Sequence, residues 1–165
     1  MNSKNLVIEN ARIMFRNFSG RPSRFNDEGK RNFCVVIERS LALCLKEEGW
    51  NVRQLRPKDL DGEPGEYYIQ VAVSYKNIPP TIMVIQGENQ QLLDESTVGS
   101  LDWADIENVD LIIRPYQWDV KGDQGVKGYV KSMYVTLEED RFREKYERKR
   151  DYEIPDETVE EDCPF

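Results

Sequence analysis

The sequence predicts a mainly β domain: a barrel of five or six strands with one short helix, followed by a disordered acidic tail. Three observations predict it. Runs of alternating or β-branched and aromatic residues recur as far as Leu137, separated by turns rich in Gly, Pro and Asp. Only residues 41–48 combine an apolar pattern with a helix start and stop signal. Beyond Arg150 the acids dominate and apolar residues thin out, a composition that does not support a packed core.

Each element follows from local pattern. Residues 6–18 read as one long strand. Parity places Val7, Ala11, Ile13 and Phe15 on one face and Asn10, Arg12, Met14, Arg16 and Phe18 on the other. Asn26-Asp27-Glu28-Gly29 gives the turn of a polar loop, and residues 31–38 return as a second strand, making a hairpin. Ser40 is placed to cap a helix over 41–48 that Gly49 stops. Residues 61–65 form a loop. Residues 67–76 alternate strongly, with Tyr67, Ile69, Val71, Val73 and Tyr75 on the buried face. Pro79-Pro80 breaks that strand and 81–85 begins another. Residues 87–107 are polar, with one helical turn around Leu101 to Ile106. Residues 109–118 and 126–137 are the last two strands, joined by a loop over 119–125 containing Gly122 and Gly125. Five or six such strands suit an oligonucleotide-binding barrel, the OB-fold, and parity alone leaves an SH3-like barrel open. The division expected is a barrel domain over 1–140, a charged helical extension over 141–150, and a disordered acidic tail over 151–165.

Composition narrows the function. At 165 residues one domain plus a tail is expected, with a core large enough to need no disulfide or metal. No apolar run is long enough to span a membrane, and the first residues lack a signal-peptide pattern, so a cytoplasmic protein is expected. Cys34, Cys44 and Cys163 show no C-x-x-C spacing, and there is no histidine. Catalysis, a metal and a cofactor are therefore not expected. The stretch Gly122 to Gly128 lacks the spacing of a phosphate loop, and Asp94, Glu95, Asp102, Asp105 and Glu107 have no basic partner at a recognisable offset.

The net charge is −8. Asp151, Glu153, Asp156, Glu157, Glu160, Glu161 and Asp162 supply nearly all of it, with no Lys or Arg among residues 151–165. The body is close to neutral, and its first strand and loop are basic, so the acidic total does not exclude a polyanionic partner.

Two signals point to such a partner. The first is on the strands. Arg114, Tyr116 and Trp118 share one face, as do Lys127, Tyr129 and Lys131, and Arg12, Arg16 and Phe18. Cations track phosphates and flat rings stack on bases of any identity. Arg21, Arg24, Phe25, Lys30 and Arg31 lie on or beside a loop placed to fold over these strands. The second signal is the tail, which ends Glu160-Glu161-Asp162-Cys163-Pro164-Phe165. An aromatic at an acidic tip suits a docking peptide whose ring enters an apolar pocket and whose acids meet a basic rim.

Glu161-Asp162-Cys163-Pro164-Phe165 is similar to the tip of bacterial single-stranded DNA-binding proteins, with Cys163 where an aliphatic residue is usual. The body resembles the single-stranded DNA-binding proteins of tailed bacteriophages, in Asn10-Ala11-Arg12, Arg31-Asn32-Phe33, residues 109–116 and Gly128-Tyr129-Val130-Lys131. The resemblance implies an OB-fold, sequence-independent binding of single strands, and a role in phage DNA replication, recombination or repair. It also implies that Glu160, Glu161, Asp162, Pro164 and Phe165 dock replication or recombination proteins. No long Gly-, Gln- or Pro-rich linker precedes the tip, which shortens its reach. A homo-oligomer is left open. The alternatives are a strand-annealing recombination protein, an acidic DNA mimic and a metal-dependent nuclease.

Overall fold

The computed structural model describes residues 4–24, 26–56, 65–76 and 78–138. The expected extension over 141–150 and the acidic tail over 151–165, tip included, lie outside the described residues. The chain is mainly β, as expected: nine strands and one α-helix are described. In order they are β1 (Leu6–Ile8), β2 (Ile13–Asn17), β3 (Arg31–Ile37), α1 (Arg39–Glu48), β4 (Arg53–Gln54), β5 (Tyr67–Val73), β6 (Thr81–Gln86), β7 (Asn89–Leu93), β8 (Ile106–Val120) and β9 (Asp123–Leu137). A 3-10 helix, Val98–Asp102, precedes β8.

All nine strands belong to one sheet, with the path β1-β8-β9-β5-β3-β2. The pairs β1–β8, β8–β9, β5–β3 and β3–β2 are antiparallel, while β5–β9 is parallel. The hairpin β6–β7 joins through a parallel β6–β9 pairing, and β4 pairs with β5. The sheet is not closed: its path has two ends, β1 and β2. Those ends are consecutive in the chain, separated by residues 9–12.

The single strand expected over 6–18 is thus two strands. Asn10 turns at a left-handed φ of 53°, and its N–H donates to an Asp110 carboxylate oxygen at 3.1 Å. Asn is among the residues that tolerate this conformation. On either side of the break the chain bonds to different neighbours: Ala11 N–H donates to the Val109 carbonyl, and the Arg12 carbonyl accepts from Val36 N–H. A second break follows at once. Between Met14 and Asn17 the β2–β3 register slips, and Phe15 adopts a φ of 52°.

The core lies on the inner face of this sheet. Strict alternation sends Phe33, Val35 and Ile37 of β3, Ile69, Val71 and Val73 of β5, and Val109, Leu111 and Ile113 of β8 inward. Phe18 stacks on Phe33 with ring centroids 5.1 Å apart, and both are fully buried. Helix α1 closes one end by burying Ala42 and Leu45. Gly49 stops it as expected, at a φ of 104° that other residues resist. The start differs: Glu38 is the cap residue, no side chain caps the helix, and Ser40 falls inside its first turn.

The loop expected over 119–125 shrinks to Lys121 and Gly122, both at positive φ, as the tightest hairpins require. The pairing of β8 with β9 therefore runs to Val120 and Asp123. The polar stretch 87–107 hides β7, whose residues are exposed except Leu93. An exposed strand carries no buried alternation, so the sequence gives no period to read. Among the described residues no helix is long and apolar enough to cross a membrane.

Candidate nucleic-acid interface

The alternation that buries one face of the sheet leaves a polar face outside. On β5 the outward residues are Tyr68, Gln70 and Ala72, with Ser74 just beyond the strand. Register sets Asn32 of β3 and Tyr129 of β9 on either side of Ala72. The loop over 18–30 folds across this face and is tightly fastened. One Asp102 carboxylate oxygen accepts Phe18 N–H at 2.6 Å, and the other accepts both Ser19 N–H at 3.1 Å and the Ser19 hydroxyl. The Asn26 amide donates to the carbonyls of Arg21, Asp27 and Lys30 and accepts from Asn32 at 2.8 Å.

Between loop and sheet lies a groove of about 660 Å³. Arg24, Lys30, Arg31, Lys76 and Lys127 line it, with Tyr75 and Tyr129, the amides of Asn26, Asn32 and Gln70, and Ser74. Two acids enter it, each beside a cation: Asp27 at 3.2 Å from Lys30 and Glu95 at 3.5 Å from Arg31. Five cations against two carboxylates give the groove a positive surplus.

The β8–β9 arm extends one wall. Register sets Arg114 opposite Tyr129, Tyr116 opposite Lys127 and Trp118 opposite Gly125. The Arg114 guanidinium lies 5.4 Å and the Lys127 ammonium 5.2 Å from the centre of the Tyr129 ring. Tyr129 therefore orients two cations, and its ring is the least free of the three to stack on a base. Tyr116 meets it edge-on at 6.2 Å and stays half exposed. Trp118 lies flat over Gly125, where any Cβ would sit 2.5 Å from the indole. Lys131 is exposed at the point where the β8–β9 register slips. Six expected residues, Arg114, Tyr116, Trp118, Lys127, Tyr129 and Lys131, thus share this arm, and Arg31 stands across the groove from them.

The strand-1 residues do not join them. Phe18 is fully buried in the core and presents no ring to a ligand. Both Arg16 contacts of 2.8 Å go to the carbonyls of Leu101 and Ala104, a strut from β2 to the 3-10 helix. Arg12 pairs with Glu66 at 2.9 Å and, with Arg16, lines a different cleft shared with Asp105, Glu107 and Glu138. Arg21 is tied to the loop anchor, 3.8 Å from Asp102 and 5.0 Å over the Trp103 ring. Glu160, Glu161, Asp162, Pro164 and Phe165 fall outside the described residues.

Sequence reasoning missed three aromatics. Phe15 is 63% exposed, and its ring meets Tyr68 at 6.0 Å on the outer face continuous with Gln70 and Ala72. Trp103 is 72% exposed beneath Arg21. Tyr75 lies inside the groove. Parity assigned Tyr75 to a buried face and Phe15 to the face opposite Arg12, Arg16 and Phe18, and no residue type announces a bulge at a phenylalanine.

Comparison with known proteins adds the family. No curated protein matches the sequence. Among the similar solved structures are three of the single-stranded DNA-binding protein from bacteriophage Enc34. One is a C-terminal truncation, at 12% identity, covering 82% of this chain and 87% of that one, TM-score 0.49. One is a complex with ssDNA, at 13% identity, covering 84% and 89%, TM-score 0.49. The third, the protein itself, has 13% identity, covers 84% and 83%, and also has a TM-score of 0.49. The family model described as "Putative phage ssDNA-binding domain" matches residues 1–162, nearly the whole length, and the chain belongs to that family.

Proposed function

We propose that this chain binds single-stranded DNA without sequence preference, along the groove between the loop over 18–30 and the outer face of β3, β5 and β9. The observation that carries the proposal is the groove itself, where Arg24, Lys30, Arg31, Lys76 and Lys127 line the space under a fastened loop and the partly exposed rings of Tyr116 and Trp118 stand on the adjoining arm. Cations that track a phosphate chain and rings that stack on any base are what such a ligand requires. Duplex DNA offers no free base faces, so the rings add nothing to duplex binding.

The strand order supports an OB-type barrel. Counting β1 and β2 as one interrupted strand leaves five principal strands, β1/β2, β3, β5, β8 and β9, with β5 and β9 parallel. In that partly open barrel, oligonucleotides bind on the face of the second and third strands, flanked by the first-to-second and fourth-to-fifth loops. Here those are β3 and β5, the loop over 18–30, and the β8–β9 arm.

A role in phage DNA replication, recombination or repair, within the cytoplasm of the bacterial host, is the biological reading. The acidic segment Glu160, Glu161 and Asp162 with Pro164 and Phe165 would recruit replication or recombination proteins. Support for the recruitment is the likeness of that segment to bacterial single-stranded DNA-binding proteins.

The test is a titration of labelled single-strand and duplex oligonucleotides of mixed sequence at several salt concentrations, with magnesium present. Tight single-strand binding is expected, weakening by about 0.7 log units per log unit of salt for each phosphate neutralised. Equal affinity for duplex refutes the proposal, annealing of complements favours the recombination reading, and cleavage reveals a nuclease.

A further inference from the structure

Resting on the single-strand reading, we propose that Arg31 and Tyr75 form a subsite for one DNA phosphate, and that the Glu95 carboxylate occupies the guanidinium until that phosphate displaces it.

Arg31 opens β3 with the inward parity of Phe33, and its side chain is only 19% exposed. Tyr75 follows β5 on the inward parity of Val73, the register partner of Arg31. The two side chains therefore meet at one end of the groove, with the guanidinium 5.8 Å from the Tyr75 ring centre. Arg31 Nε and the Tyr75 hydroxyl are both buried, and neither has a hydrogen-bond partner among the described residues. Buried polar groups in native proteins are almost always satisfied. Here the two exceptions belong to one pair of side chains that line the same groove.

Their chemistry selects the ligand. Guanidinium nitrogens only donate. Burial raises the pKa of the Tyr75 hydroxyl, so it keeps its proton and donates as well. Two adjacent donors beside a positive charge call for an anion that only accepts, which a phosphodiester oxygen pair is. A base edge, which alternates donors and acceptors, fits less well.

Glu95 explains how the guanidinium rests meanwhile. Its carboxylate lies 3.5 Å from one terminal nitrogen of Arg31, and its backbone carbonyl accepts from the other at 3.5 Å. Both are long for charge-assisted contacts, and the Glu95 side chain is 65% exposed, so water screens the attraction. The backbone beneath is fixed: one Asp94 carboxylate oxygen accepts Ser96 N–H at 2.9 Å, Thr97 N–H at 3.1 Å and the Ser96 hydroxyl at 2.7 Å. The exchange needs the Glu95 side chain to swing away and the Arg31 and Tyr75 side chains to shift enough to open their buried Nε and hydroxyl to the phosphate.

The experiment uses the full chain and a fluorescein-labelled oligothymidylate, read by anisotropy alongside urea unfolding. Tyr75→Phe keeps the ring and deletes the orphan hydroxyl. Stability should hold or rise, whereas affinity should fall roughly tenfold or more, the scale of a hydrogen bond to a charged group. Glu95→Gln should tighten binding several-fold, and that gain should vanish when Arg31→Gln is added. Undiminished affinity in Tyr75→Phe overturns the subsite. A Glu95→Gln gain that survives Arg31→Gln overturns the exchange, because it then reflects net charge alone. A wild-type protein that ignores the oligonucleotide overturns the single-strand reading itself, and the subsite with it.

Discussion

Phe15 holds a conformation that L-residues avoid, and it does so with an exposed ring. Replacing it with glycine separates what that ring does for the fold from what it does for a ligand. The left-handed φ of 52° costs a non-glycine residue about 1–2 kcal/mol, which glycine recovers. Against this, glycine in a strand loses about 0.5–1 kcal/mol to chain entropy. The edge contact with Tyr68 is worth about 0.5–1.5 kcal/mol more. These terms nearly cancel, so the stability of Phe15→Gly should stay within about 1 kcal/mol of wild type. Binding should not be spared. If a base stacks on Phe15, its loss costs about 1–3 kcal/mol, with the largest effect on strands long enough to run from the groove past Gln70 to Tyr68. Anisotropy titrations with an oligonucleotide length series, paired with guanidinium melts, read both quantities. Unchanged affinity at every length would refute the stacking role, and a fold weakened by several kcal/mol would show that the ring is structural.

Three further outcomes follow from the packing. Gly128→Ala places a Cβ 2.7 Å from the Trp50 ring and 2.9 Å from Ile113, and should destabilise by about 1–3 kcal/mol in a thermal melt. Asp102→Ala leaves the N–H groups of Phe18 and Ser19 without their acceptor and should cost about 1–3 kcal/mol, most of it from the part-buried Phe18 donor because Ser19 is exposed; proteolysis should then cut first within the loop over 18–30, and single-strand affinity should drop with it. Burial pushes the Cys34 thiol from 9.0 up to about 11, so above pH 9 the unfolded chain releases a proton that the folded chain keeps. Stability should therefore fall as pH rises from about 9 to about 11, by a component absent from Cys34→Ala, while exposed Cys44 alone among the described cysteines reacts with a maleimide at neutral pH.

The strands that sequence located most securely are those with one strictly buried face. β3, β5 and β8 send alternate residues into the core, β9 does so on either side of the slip at Lys131, and their bounds moved by only a few residues. The face bearing Arg114, Tyr116, Trp118, Lys127 and Tyr129 was legible for the same reason. Once the inward parity is known, the outward one is fixed, and it carries the cations and rings. The arm over 116–127 was shortened because Lys121 at positive φ is not a turn signal, whereas Gly122 is. β7 was missed because its residues Asn89 to Leu92 are all exposed, so nothing in the pattern of Asn89-Gln90-Gln91-Leu92 reports a sheet.

The first strand failed for a different reason, and that failure bears on function. Parity counting from Val7 set Phe18 on the face of Arg12 and Arg16, read as a binding face, and Phe15 on the opposite one; the structure buries Phe18 and exposes Phe15. Counting assumes an unbroken period of two, but the chain breaks it twice, at Asn10 and at Phe15. Each break has a structural gain. The first lets one segment bond β8 and the next bond β3, so the two ends of the sheet path meet in a single stretch of chain. The second turns Phe18 into the core against Phe33, where Asp102 fastens the loop that roofs the groove. It also leaves Phe15 standing outside against Tyr68, on the face where a strand leaving the groove would run. If a base stacks on Phe15, one bulge both anchors the loop and extends the binding surface; if the affinity of Phe15→Gly is unchanged, the strain serves the loop alone.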